Sequence, residues 1–142
     1  MTITAWRITK QKHAKTAFSG EGARLYGGRW NSPGTAVIYT AQSQSLAALE
    51  MVVHLGSSEL LGKFVFIEVK IPESLSACLE FSRLPGNGKA DPAPSRLKSL
   101  GDAWAAGGAS AVLCVPSALV PGENNYPLNP RHQNFPKKQL DQ

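Results

Sequence analysis

The chain has 142 residues, of which 42% are hydrophobic and 18% charged, a length and balance that suit one soluble globular domain. No apolar run approaches the ~20 residues that a membrane-spanning helix needs, and the start Met1-Thr2-Ile3-Thr4-Ala5-Trp6 lacks the basic opening and apolar core of a signal peptide. Neither a membrane span nor a secretory leader is expected, a cytoplasmic location is expected, and the net charge of +5 leaves nucleic-acid binding open only as a dispersed set of charges.

Residues 3–8 read as a short first strand. Near it, Lys10, Lys12, His13 and Lys15 form the one compact basic group, with Lys137-Lys138 close to the end. Residues 16–35 are rich in Gly, Ser and Asn, and predict a long irregular segment with turns at Tyr26-Gly27-Gly28-Arg29-Trp30-Asn31 and Pro33-Gly34. Long ordered loops are usually functional. Residues 36–41 predict a second strand, whose alternation puts Tyr39 on the face opposite Ile38 and Thr40.

A helix follows, N-capped by Ser43 or Ser45 and closed by Gly56. Residues 63–71 alternate, with Val65, Ile67, Val69 and Ile71 on one face and Glu68 and Lys70 on the other: a half-buried strand stopped by Pro72. Residues 83–95 are a Pro- and Gly-rich loop. Residues 96–106 predict a second helix with Leu97, Leu100 and Trp104 inward, closed by Gly107-Gly108. Residues 110–115 predict a buried strand halted by Pro116, then a polar loop from Ser117 to Pro130 and a weakly patterned tail. Cys78 and Cys114 lie far apart in apolar stretches, fit no metal motif, and read as two buried thiols. The irregular mixture of strands and helices favours α+β over a doubly wound sheet.

Glu50 is the most informative single residue. The run Leu46-Ala47-Ala48-Leu49-Glu50-Met51-Val52-Val53 carries no other charge, and a helix apolar nearly all round is expected to be largely buried. A carboxylate there costs desolvation unless it is paired or hydrogen-bonded, and such groups cluster at functional sites. A structural pair with Arg7 or Arg29 competes with a catalytic role. In the Gly27-Gly28-Arg29-Trp30 turn, glycine permits close backbone approach to a ligand and arginine matches phosphate or carboxylate; a tight turn with a surface arginine competes. Tyr39 is either a core aromatic or a stacking platform for a flat ring. Ser117, at a strand end, has no nucleophile-elbow frame, so hydrogen bonding is favoured over nucleophilic attack. His13, His54 and His132 read as structural or surface groups, with no metal-ligand spacing between His54 and His132.

The blocks Trp6-Arg7, Gly28-Arg29-Trp30-Asn31-Ser32-Pro33-Gly34, Val37-Ile38-Tyr39-Thr40-Ala41, Leu46-Ala47-Ala48-Leu49-Glu50, Gly101-Asp102-Ala103-Trp104, Val115-Pro116-Ser117 and Asn129-Pro130 together resemble the RES-domain family, the toxin half of bacterial RES–Xre toxin–antitoxin pairs. The resemblance spans residues 1–142 and implies an α+β fold: a single compact domain with a mixed, mainly antiparallel sheet and flanking helices, similar to ADP-ribosyltransferases. It implies a toxin that depletes NAD by cleaving the nicotinamide–ribose bond, through hydrolysis or phosphorolysis, or that transfers ADP-ribose to a protein. The family's named arginine, glutamate and serine fall on Arg29, Glu50 and Ser117, with Arg7, Gly28 and Tyr39 also at substrate-binding positions. NAD is then a substrate; no cofactor or metal is implied. The implied partner is an Xre-like helix-turn-helix antitoxin in a hetero-oligomeric complex, with DNA reached only through that antitoxin. A non-enzymatic module binding antitoxin or nucleic acid is the rival. The chain departs from the family in reading His132-Gln133-Asn134-Phe135 where His-Pro-Asp-Phe is usual, in lacking a tryptophan in 83–95, and in having no pattern for a final strand.

Overall fold

The computed structural model describes residues 1–55, 63–79 and 95–135. Strands β1 (Thr2–Lys10) and β2 (Phe64–Pro72) pair antiparallel along their whole length, from Thr2 opposite Pro72 to Lys10 opposite Phe64. The predicted alternation of β2 holds: Val69 and Ile71 are buried, while Glu68 and Lys70 are exposed and ion-paired with each other. Pro72 closes the strand, where its missing N–H leaves no interior ladder bond unmade.

A second ladder joins β3 (Ser76–Cys78), β4 (Val112–Pro116) and β5 (Asn124–Asn125), with β3 parallel and β5 antiparallel to β4. Every residue from Val112 to Val115 is buried because β4 is covered on both faces. Val112 and Cys114 belong to the sheet core with Ala5, Ile38, Val69, Ile71 and Leu128; Leu113 and Val115 pack with Trp30 and Leu97.

The predicted second strand at 36–41 is an extended connector that belongs to neither ladder. Its hydrogen bonds are split between two neighbours. Ile38 exchanges two bonds with Leu128 and Ala41 exchanges two with Trp6, while Thr40 O accepts from Tyr126 N. Ala41 also bridges to Asn125, so this connector ties β1 to β5. The architecture is α+β with a mixed, mainly antiparallel set of pairings.

Within 16–35, expected to be irregular, Glu21–Tyr26 forms helix α1, after a 3-10 turn at Gln11–Thr16. Glycines at positive φ bound α1 on both sides, Gly20 at 75° and Gly27 at 77°, and Glu21 places an acid in its first turn. Helix α2 (Gln44–Leu55) is capped by Ser43, whose Oγ accepts the Leu46 N–H at 3.1 Å. It is less buried than expected. Leu46 and Ala47 pack on Ala41, Trp6, Ile8 and Val120, but Leu49, Val52 and Val53 are 41%, 48% and 47% exposed. Only one stripe of α2 rests on β1, so an apolar residue on the far side stays in solvent.

Helix α3 (Ser95–Gly107) buries Leu97 and Gly101, half-buries Leu100 and Trp104, and ends at Gly108 in the left-handed region. Cys78 corrects the expectation of two buried thiols. It is the last residue of a short edge strand and is exposed, although it lies directly opposite buried Cys114. Gly56, the loop residues 83–94, Lys137-Lys138 and the side chain of His54 lie outside the described residues.

Candidate functional site

Glu50 projects from the second turn of α2 and is half-buried. Asn125 Nδ2 donates a 2.8 Å hydrogen bond to Glu50 Oε1. Burial pushes the Glu50 carboxyl above its ordinary value, while the bond from Asn125 and the positive charge of Arg29 pull it back. Of the two arginines considered as partners for this acid, it is Arg29 whose charge reaches it.

The turn that carries Arg29 is rigidly built. Gly28 N–H donates to Asn31 O at 3.0 Å. Asn31 is fully buried, and its Nδ2 donates to Ala23 O at 2.8 Å and Thr35 O at 2.9 Å. Tyr39 Oη donates to Asn31 Oδ1 at 2.6 Å and accepts the Trp30 N–H at 2.9 Å. Burial raises the Tyr39 phenol far above its ordinary value, so it stays protonated and able to donate. From the other side, Lys98 Nζ bonds Gly28 O, and Asp102 Oδ1 accepts the Ser32 N–H at 2.9 Å. Helix α3 and Tyr39 thus grip the turn from two directions.

The missing Cβ of Gly28 makes room for Tyr39: a Cβ there would lie 2.7 Å from Tyr39 Oη. Tyr39 is correspondingly a partly buried brace whose hydroxyl is committed to the turn.

Arg7 lies on β1 and sends Nε to Ala17 O at 3.1 Å and Nη1 to Tyr39 O at 3.3 Å. Burial depresses its pKa. Two of its N–H groups stitch the 3-10 segment to the connector, and among the described residues the rest of the fork has no further hydrogen-bond acceptor. Ser117 is 2% exposed; its Oγ accepts the N–H groups of Leu119 and Val120, both at 3.0 Å. It shapes the turn after β4, and its hydroxyl hydrogen is still available to donate.

The structure therefore joins Glu50 and Arg29 through charge, Arg29 and Tyr39 through the braced turn, and Tyr39 and Arg7 through one carbonyl. Ser117 is linked less directly, through the turn that leads back to Asn125. Asn125 itself was passed over by sequence reasoning, since it lies in a segment read as a polar loop. The available signal was chemical: a buried carboxylate requires a donor, and an Asn beside apolar positions is a suitable one. Asn31, Lys98 and Asp102, which fix the arginine turn, were likewise not singled out for that role.

The RES domain family model matches residues 4–141. The chain belongs to the RES-domain family. It is 42% identical over 130 residues to a protein named Toxin Res from Yersinia enterocolitica, covering 92% of this chain and 86% of that protein. It is 40% identical over 137 residues to the Prs ADP-ribosylating toxin of a Sphingobium species, covering 93% and 85%. The crystal structure of the M. tuberculosis MbcT–MbcA toxin–antitoxin complex contains a chain that matches with a TM-score of 0.68 at 22% identity, over 94% of this chain and 78% of that one. That match supports the same α+β architecture.

Proposed function

We propose that this RES-domain protein is the toxin of a toxin–antitoxin pair, and that it arrests growth by cleaving the nicotinamide–ribose bond of NAD in the cytoplasm. The observation that carries the reading is the half-buried Glu50 carboxylate, held by Asn125 and set within the field of Arg29. Departure of nicotinamide takes both bonding electrons with it and leaves an oxocarbenium-like sugar. A carboxylate beside the anomeric carbon stabilises that cation, as in glycosidases. Ionised Glu50 serves this purpose and orients the ribose hydroxyls. Water or phosphate then adds to the anomeric carbon and gives up a proton.

Arg29 grips the pyrophosphate, for which a planar guanidinium is well matched, and the remaining N–H groups of Arg7 assist. Gly28 and Tyr39 contribute by holding Arg29 in place, with the exposed part of the Tyr39 ring against the nicotinamide side. Ser117 donates its hydroxyl hydrogen to the nicotinamide–ribose region. The antitoxin partner is an Xre-like helix-turn-helix protein in a hetero-oligomer, and DNA is reached through it; the solved structure of similar fold, crystallised as a toxin–antitoxin complex, supports an antitoxin partner of some kind.

Incubating the purified protein with NAD and reading products by mass tests the reaction. Free nicotinamide with ADP-ribose or its phosphorylated counterpart is expected, and intact NAD after long incubation would overturn the proposal. A second reading is favoured by the name of the Sphingobium relative: transfer of ADP-ribose to a protein. Label from NAD appearing on a protein, instead of free in solution, selects it.

A further inference from the structure

We infer that Asn125 is a positioning residue for the proposed reaction, holding Glu50 in its reactive orientation and in its ionised form. This rests on the reading of Glu50 given above and adds a residue that acts through it.

The backbone of Asn125 is fixed from two sides. It pairs with Val115 of β4 and bridges to Ala41 of the connector, so its Cα has little freedom. Its side chain is almost buried, at 9% exposure. The two hydrogens of its amide nitrogen have separate acceptors, Glu50 Oε1 at 2.8 Å and Thr40 O at 3.4 Å. The Thr40 carbonyl is itself held by the Tyr126 N–H at 2.9 Å. The amide is therefore clamped at one end, and its other hydrogen is aimed at the carboxylate.

An amide N–H can only donate, so this bond favours ionised Glu50 over the protonated acid. It also selects one carboxylate oxygen, Oε1. Among the described residues, the groups that act on the Glu50 carboxyl are Asn125 from β5 and Arg29 from the turn after α1. To the attraction of the Arg29 charge, Asn125 adds a bond with a direction. Asp in its place keeps the shape, removes the donor and adds a like charge; Ala removes the whole amide, donor included, without adding charge.

The test is the pH dependence of NAD cleavage by the full chain and by Asn125→Ala and Asn125→Asp. The acid limb of kcat is expected to move to higher pH in Asn125→Ala and further in Asn125→Asp. At neutral pH kcat should drop by on the order of tenfold, the loss of one charge-assisted hydrogen bond, with KM little changed. A uniform fall at every pH, with an unmoved limb, would overturn the assignment. The wild-type protein supplies a second readout that needs neither turnover nor a folded variant. In its NMR spectrum the Asn125 side-chain amide hydrogens should titrate with the same midpoint as the Glu50 carboxyl carbon. Absence of that shared titration overturns the positioning role. Shared titration in a protein that leaves NAD intact retains the pairing and removes the reaction proposed for it.

Discussion

Gly101 of α3 lies against the backbone of Trp30 so closely that a Cβ on it would sit 1.7 Å from the Trp30 carbonyl oxygen. No rotamer relieves that overlap, because the helix backbone fixes where a Cβ must lie and the oxygen belongs to the backbone of the turn. Helix and turn touch here because position 101 has no side chain, and the same contact brings Lys98 to Gly28 and Asp102 to Ser32.

Gly101→Ala is therefore expected to push the Arg29 turn away from α3. Overpacking of this kind costs about 1–3 kcal/mol, and the displaced turn should weaken NAD binding as well. Thermal unfolding and KM measured on the same preparation check both parts. An alanine variant with unchanged melting temperature and unchanged KM would mean that the helix does not set the turn.

Glu50 should exact a stability cost that a neutral isostere removes. Burial raises its folded-state pKa above the usual 4.5, outweighing Asn125 and Arg29. The folded protein then holds this proton more tightly than the unfolded chain, so stability falls as pH rises from near 4.5 through the folded value. Glu50→Gln is expected to melt higher than wild type at about pH 8, to match it at about pH 4, and to lose NAD consumption. Melting curves at the two pH values, with an activity assay, give the answer. A glutamine variant less stable at alkaline pH would reverse the sign argued here.

Tyr39→Phe separates a brace from a stacking surface. Phenylalanine keeps the ring but deletes the hydroxyl that joins Trp30 N–H to Asn31 Oδ1. Two groups lose a partner, and leaving such a group unsatisfied costs about 1–3 kcal/mol when it is buried. Lower stability and weaker NAD affinity are expected together. Calorimetric affinity equal to that of wild type would assign Tyr39 to stacking alone.

The two cysteines should differ sharply in reactivity despite facing each other across β3 and β4. Cys78 is exposed, whereas burial pushes the Cys114 thiol up to about 12. Iodoacetamide near neutral pH is expected to label Cys78 in the native protein and Cys114 only after unfolding. Peptide mapping that found Cys114 labelled first would contradict the packing of β4.

Much of the order of elements was readable along the chain. The β2 alternation, the Ser43 cap and the Gly107-Gly108 stop each follow from local chemistry: pleat, orphan amide and left-handed glycine. The connector at 36–41 has the composition of a strand and was read as one, because composition does not reveal that its hydrogen bonds are shared between β1 and residues 124–128. The burial of α2 was overestimated for a related reason. Apolar residues on every side state a preference, but only the layers present in space determine which face is covered.

The sequence by itself determined which chemistry was available: one acid in an apolar helix, arginines in a turn and on a strand, a phenol, a hydroxyl, and the spacing that resembles RES domains. Tertiary structure alone decided how they combine. It gave Glu50 an amide donor 75 positions away, assigned Arg29 to its field, and turned Tyr39 and Gly28 into supports for that arginine. The physical reason is that hydrogen bonds and charge act over a few ångströms in space, while separation along the chain sets no limit on which groups folding brings that close.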